Sequence, residues 1–234
     1  MSTVSVSTGT EVEPVTAAEC AALFRARAST YGLISRLYRR EVDAAFEATL
    51  RSTRFPAHAG NDDLDEGYRL IASYLGGMQL GSLTELAVDY VRTFIGHGND
   101  GKGAAYPYES VYRSEKHLLM QDARDEVVAI YREHGLDRGS EWNDPEDHAA
   151  LEFEFMEVMS ERTADSLERG DGEAAADFAR VQRSFLAEHA LAWMPEMTRE
   201  MRRLARTSFY QGLSLLTDGF LASDAAFLAA FLEA

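Results

Sequence analysis

Cysteine is almost absent from this 234-residue sequence, which contains only Cys20. A single cysteine excludes an intrachain disulfide, and it excludes zinc and iron–sulfur sites built on paired Cys-x-x-Cys motifs. A protein without disulfides is typical of a reducing compartment. We therefore expect a cytoplasmic protein.

The sequence also lacks the segments that direct a chain into or across a membrane. Residues 1–15 have neither a basic start nor an apolar run, so they do not resemble a secretory signal. No stretch approaches the roughly 18 uninterrupted apolar residues of a membrane-spanning helix. We expect a protein that is neither exported by its own signal nor inserted in a membrane, with residues 1–15 as a disordered tail.

Basic residues are scarce relative to acidic ones. The 23 Lys and Arg against 39 Asp and Glu give a formal net charge of -16. An acidic surface repels phosphate backbones and anionic lipid headgroups, which disfavours a helical DNA-binding regulator. Carboxylates pair well with the guanidinium group of arginine, so a basic peptide is a natural class of ligand.

Sustained alternation of period two, which would indicate β-strands, is missing, whereas apolar residues recur at helical spacings. The sequence therefore predicts an all-α protein, with one helical domain over residues 16–234 or two small helical lobes. Gly96–Gly103 contains four glycines and predicts a lobe boundary or hinge near residues 96–104. The predicted helices cover, approximately, residues 16–40, 42–50, 63–75, 82–94, 110–135, 145–169, 173–193, 196–206, 209–217 and 224–234.

Two helix starts carry the Ser/Thr-x-x-Glu spacing of a capping box, in which a hydroxyl and a carboxylate each accept from a free amide. These are Thr16 with Glu19, and Ser82 with Glu85. Gly135 is predicted to end its helix in the left-handed conformation.

The glycine-rich loop Gly96–Gly103 could in principle hold a phosphate or a calcium ion. It matches neither the Walker pattern, in which Ser or Thr follows Gly-Lys, nor a dinucleotide fingerprint. If Glu109 were the last ligand of a calcium loop, Gly98 and Lys102 would stand where carboxylates belong. A flexible loop is the favoured interpretation.

One alternative function comes from a predicted helix that is rich in carboxylates. The possible metal ligands on it are His148, Glu152, Glu154, Glu157 and Glu161. They would suit a helical carboxylate-bridged metalloenzyme, but the sequence has no Glu-x-x-His pair and no His-Glu-x-x-His motif. Metal analysis would distinguish this alternative from a metal-free protein.

Methionines are concentrated around the same region. They either line an apolar groove that tolerates varied partners or belong to the core. The residues concerned are Met156, Met159, Met194, Met197 and Met201.

Trp142–His148 is the segment richest in groups that could act together. Asp144 is predicted to cap a helix whose first turn holds Glu146 and Asp147, where carboxylates favour the helix dipole. The same carboxylates, with His148 and the neighbouring indole, would also suit an arginine-bearing peptide. Capping and peptide binding both stay open on the residues alone.

Three segments follow a pattern known from one protein family. Pro145–His148 reads Pro-Glu-Asp-His, Tyr108–Tyr112 reads Tyr-Glu-Ser-Val-Tyr, and a helix carrying His189 and Trp193 precedes Pro195. The first segment resembles the Pro-Asp/Glu-Asp-His signature of the TorD/DmsD chaperones, also called redox enzyme maturation proteins. The others resemble that family's Tyr-Glu-Ser-x-Tyr segment and its helix ending in His-x-x-x-Trp.

The resemblance implies an all-helical bundle with a groove for a signal peptide. Members bind the twin-arginine leader of a molybdopterin oxidoreductase subunit, assist insertion of the molybdenum cofactor, and delay export until the subunit is mature. This implies a chaperone rather than an enzyme, with no cofactor of its own, either monomer or homodimer. The signal-peptide-binding residues that it implies are Asp144, Glu146, Asp147, His148, Tyr108, Glu109 and Ser110.

Overall fold

The computed structural model describes residues 16–96 and 103–233. Within these two ranges the protein is all-α, as predicted, and the only extended pairing is one isolated bridge. The helices are α1 (Ala17–Arg39), α2 (Ala44–Ser52), α3 (Asp62–Gly76), α4 (Ser82–Tyr90), α5 (Glu109–Arg113), α6 (Asp122–Glu133), α7 (Ala149–Glu168), α8 (Gly172–Phe185), α9 (Leu191–Leu204) and α10 (Ser208–Glu233).

The predicted tail, residues 1–15, and residues 97–102 of the predicted hinge lie outside the described residues. Before this loop, α4 continues into the π-helical turn Val91–Ile95, which ends at Gly96 with a φ of 80°. After it, the Ala105 N–H donates to the Thr93 carbonyl at 2.8 Å. This hydrogen bond joins the chain on the two sides of the loop.

One of the two predicted capping boxes is confirmed. Thr16 caps α1: its hydroxyl accepts from the Glu19 N–H, and the Glu19 carboxylate accepts from the Thr16 N–H. At α4 the prediction was wrong, because Gly81 occupies the cap position with a φ of 94°. The Ser82 hydroxyl instead accepts from the Gln79 N–H at 2.9 Å, so it stabilises the preceding turn.

The single helix predicted over residues 110–135 is wrong. The chain leaves α5 at Ser114, and α6 begins only at Asp122, with positive φ angles at His117 and Met120 between them. The apolar residues of this connection do not reach the core, and Leu119 is 43% exposed. Gly135, by contrast, has the predicted left-handed conformation, with a φ of 69°.

Pro195 was predicted to kink or end the preceding helix, and it does not end one, because α9 runs through it. The π-helical turn Leu186–Ala190 joins α8 to α9. A proline crowds the carbonyl four residues back, which here belongs to Leu191, directly after this turn.

The main layer of the fold is the packing of α1 against α7, and α8 covers the other side of α7. Aromatic rings fill the first interface, where Tyr38 stacks on Phe153 with centroids 5.7 Å apart. The five methionines around the motif are core residues, since each is at most 1% exposed: Met156, Met159, Met194, Met197 and Met201.

α10 is one continuous helix where two were predicted, and it packs closely on α3. A Cβ at Gly219 of α10 would come within 2.5 Å of the Leu64 amide nitrogen, and one at Gly67 of α3 within 2.5 Å of the Leu216 nitrogen. The glycines thus let the two backbones touch. This packing offsets the roughly 1 kcal/mol that a glycine costs within a helix.

α10 is also the one described helix that is long and apolar enough to cross a membrane, with a mean hydropathy of 1.5 over its most apolar window. The core helix of a soluble protein meets the same criteria. Its residues Leu213, Leu216 and Leu221 are buried against other helices, and the carboxylate of Asp224 pairs with Arg27 of α1.

Candidate functional site

The two motif segments around Tyr108 and His148 lie side by side. They form the isolated antiparallel bridge, in which the Glu109 N–H donates to the Asp147 carbonyl at 3.0 Å and the Ala149 N–H donates to the Pro107 carbonyl at 2.9 Å. The start of α5 is thereby joined to the start of α7. Residues about 40 positions apart in the sequence thus build one site.

The predicted start of α7 at Pro145 is wrong, and so is the cap at Asp144. The helix begins at Ala149, and His148 is its cap: the Nδ1 atom accepts from the Ala150 N–H at 3.0 Å. An Nδ1 that accepts leaves the ring proton on Nε2. The extended bridge explains the late start, because the Asp147 carbonyl and the Ala149 N–H, on either side of His148, are engaged in pairing with the segment around Tyr108.

His148 is enclosed by aromatic rings and is 3% exposed. Its ring meets those of Tyr108 and Trp142 edge-on, with centroids 5.0 and 5.2 Å away. Burial, assisted by the nearby Arg39 charge, lowers the pKa of His148 to about 3. The histidine is therefore a neutral cap near pH 7.

Asp147 is completely buried. Its Oδ2 atom accepts from the Ser110 N–H at 2.8 Å, while Oδ1 has no hydrogen-bond partner among the described residues. Burial raises the pKa of the Asp147 carboxyl, with the neighbouring Glu109 adding to the rise. The side chain satisfies a free amide at the start of α5, so Asp147 stabilises α5 and does not lie in the first turn of α7, where it was predicted.

Glu109 is also fully buried, and it joins α5 to the segment before α9. Its carboxylate pairs with Arg113 at 2.6 Å and lies 3.1 Å from the Nδ1 atom of His189. Beside it, Glu152 accepts from the Trp193 indole N–H at 3.1 Å. Burial raises the pKa of Glu152 well above its ordinary value, and the adjacent Glu109 acts in the same direction.

Glu146 is 7% exposed and already has two cationic partners. Arg124 of α6 lies 2.7 Å from one carboxylate oxygen and Arg138 lies 3.4 Å from the other. Burial alone would raise the pKa of Glu146, but the hydrogen bond and charge of Arg124 lower it. The carboxylate is thus ionised and holds α6 against the motif.

Asp144 and Tyr108 are the two predicted site residues whose side chains reach the surface. Asp144 is exposed, Tyr108 is half-buried, and the Tyr108 hydroxyl donates to Asp144 Oδ1 at 3.0 Å. Burial and the Asp144 charge raise the pKa of Tyr108. The structure therefore divides the seven residues into two on the surface and five that are enclosed within the fold.

Two neighbouring cavities open beside these surface residues, with volumes of about 550 and 440 Å³. They share Arg39, Arg40 and Asp144, and together they form what we call the motif groove. The larger cavity is lined by both apolar and acidic side chains of α7 and of the segment between α6 and α7. They include Leu136, Leu151, Phe155 and Val158 among the apolar residues and Asp137, Glu141 and Asp144 among the acidic ones.

Three arginines of the motif groove were not predicted, because they lie in the first half of the chain, where the sequence shows no family motif. Arg36, Arg39 and Arg40 come from the end of α1. Three arginines within five residues of an acidic sequence are a signal that could have been used.

The ligands that the metalloenzyme alternative requires contact other partners in the structure. Glu152 faces Trp193, Glu154 pairs with Arg39, and Glu161 pairs with Arg25. Within residues 16–96 and 103–233, no group of three or more His, Cys, Asp or Glu side chains could hold a metal ion.

Comparison with known proteins supports the motif reading. The family model described as "Nitrate reductase delta subunit" matches residues 61–199, more than half of the chain, and the matched span includes both bridged segments. The chain belongs to the TorD/DmsD family.

Several relatives in this family carry the name "Chaperone protein TorD". The protein from Photobacterium profundum is 29% identical over 144 residues, which cover 62% of this chain and 64% of that protein. The chain thus spans slightly less than two thirds of that relative. Those from Vibrio parahaemolyticus and Shewanella loihica are 26% and 27% identical and are covered over 94% and 92% of their lengths. TorD/DmsD membership agrees with the all-α fold, and these relatives are named as chaperones rather than enzymes.

Proposed function

We propose that this TorD/DmsD protein is a cytoplasmic chaperone for a molybdopterin oxidoreductase subunit. It binds the twin-arginine signal peptide of the apo-subunit, assists cofactor insertion, and delays export until the subunit is mature. The observation that carries the proposal is the motif groove, which opens beside the bridged family segments and combines apolar side chains with exposed carboxylates.

The chemistry of the motif groove suits such a leader, which joins two arginines to a helical apolar stretch. Leu151, Phe155 and Val158 of α7 offer an apolar wall for the helix. Glu141 and Asp144 at the edge offer carboxylates for guanidinium groups. The overall net charge of -16 adds a general attraction for a cationic segment.

The family motif then acts in two ways. Asp144 and Tyr108 contact the peptide, because their side chains line the motif groove. The enclosed residues hold those two in position by capping α5 and α7 and by pairing with α6 and the segment before α9. These positioning residues are Asp147, His148, Glu109, Ser110 and Glu146.

Calorimetric measurement of the binding of synthetic leaders to the full-length protein tests the proposal. A leader with its two arginines should bind about tenfold more tightly than the same peptide with Gln-Gln, the scale of one charged hydrogen bond. Added salt should reduce this advantage, because the carboxylates are exposed. Equal affinity for the two leaders would remove the role of the carboxylates.

A pair of double variants tests the location. Glu141→Gln with Asp144→Asn should lose most of the preference for arginine. Glu173→Gln with Asp177→Asn removes the same charge from the exposed face of α8, away from the motif groove, and should keep the preference. If both double variants lose it equally, mean charge rather than the motif groove is responsible.

A further inference from the structure

Arg39, the last residue of α1, lies at the junction of three cavities. It lines both cavities of the motif groove and also a third cavity of about 300 Å³ between α1 and α7. A peptide lying along the motif groove would therefore meet the Arg39 side chain.

The partners of Arg39 are the ones that an arginine of a bound peptide would need. Its guanidinium group forms an ion pair with Glu154 of α7 and lies over the Trp142 ring, 5.0 Å from the centroid. A carboxylate beside an aromatic face binds a guanidinium group through charge, hydrogen bonds and cation–π attraction. The protein thus places its own arginine on a site suited to a ligand arginine.

This ion pair is open to competition. The side chains of Arg39 and Glu154 are 38% and 44% exposed, and ion pairs with such exposure are weak. Glu157, one turn further along α7, lines the third cavity together with Glu154 and has no ion-pair partner within the described parts of the chain. A second guanidinium group could therefore approach without first breaking a buried contact.

We propose that Arg39 is an intramolecular competitor of the leader, an inference that rests on the proposed function. In the free protein Arg39 occupies Glu154 and Trp142, and a leader arginine displaces it on binding. A peptide without a cationic side chain at this position cannot replace Arg39 at Glu154, so the contact favours twin-arginine leaders over uncharged apolar peptides.

Affinities of Arg39→Gln for the Arg-Arg and Gln-Gln leaders test this proposal, with Arg40→Gln as the matched control. Arg40 lines the same two cavities, and its guanidinium group has one weak ion-pair contact, 3.9 Å from the Asp43 carboxylate. The loss of Arg40 therefore measures the effect of removing one positive charge from the motif groove. We expect Arg39→Gln to bind the Arg-Arg leader about fivefold more tightly, the scale of one exposed ion pair. The gain should exceed that of Arg40→Gln and be absent for the Gln-Gln leader.

A double-mutant cycle isolates the carboxylate. Glu154→Gln should reduce affinity for the Arg-Arg leader. Adding Arg39→Gln to Glu154→Gln should then raise affinity by no more than Arg40→Gln does, because the contested carboxylate is gone and only the effect of mean charge is left. Weaker or unchanged binding by Arg39→Gln, or a gain equal to that of Arg40→Gln, would overturn the competitor while leaving leader binding intact. Failure of the wild type and of Arg39→Gln to bind the Arg-Arg leader at all would overturn the proposed function itself.

Discussion

Replacing His148 by asparagine separates a neutral helix cap from a charged binding group. In the structure, His148 Nδ1 accepts from the Ala150 N–H while its ring is buried between Tyr108 and Trp142. Asparagine is a preferred capping residue but does not titrate. The smaller side chain leaves space between the two rings, which lowers stability by an amount that does not depend on pH.

The expected pH dependence follows from the pKa of His148, which burial lowers to about 3 in the folded protein. An unfolded histidine has a pKa of about 6.5, so the unfolded chain takes up a proton first as the pH falls. The contribution of the neutral His148 to the free energy of unfolding is therefore complete above about pH 6.5, and it is lost as the pH falls towards about 3. Between pH 6 and pH 4 the loss is about 2 to 3 kcal/mol.

Urea unfolding of the wild type and of His148→Asn at several pH values measures this loss. The difference between their free energies of unfolding should shrink by the stated amount between pH 6 and pH 4, because every other titrating group is common to both. His58→Asn controls for the removal of a histidine, since the His58 side chain is 94% exposed. A difference that stays constant with pH would refute the neutral buried cap.

Other substitutions test the packing around the site and the fold. Asp147→Ala should lower the free energy of unfolding by about 1 to 3 kcal/mol, because the buried Ser110 N–H loses its acceptor. Asp147→Asn keeps an acceptor oxygen and should lower it less. Equal losses in urea unfolding would contradict this role of Asp147. Gly67→Ala should lower the melting temperature, since its Cβ would meet the Leu216 backbone at 2.5 Å. The Cβ of Gly76→Ala would have nothing within 4 Å, so this variant should be neutral or stabilising. Similar melting temperatures of the two variants would contradict the close contact of α3 and α10.

Much of the helical content could be predicted because it depends on neighbours three or four residues apart. The capping box of Thr16 and Glu19 and the left-handed turn at Gly135 are local features of this kind. The two wrong predictions of helix caps also concern local features. Ser82 and Asp144 are residue types that favour cap positions, but Gly81 and His148 occupy the caps of α4 and α7. Residue type shows which side chains can cap; at α4 a local turn and at α7 the tertiary pairing with Tyr108 select the residue that occupies the cap position.

The sequence by itself determined the all-α class, the acidic charge and the family motif, because helical periodicity, composition and residue order are written directly in it. Only the tertiary structure decided how the motif is used. It buried Glu109 and Asp147, since their partners His189 and Ser110 are brought to them from distant segments. It also placed Arg39 across the motif groove, a contact between α1 and α7 that no local pattern specifies because the two residues of the ion pair are 115 positions apart.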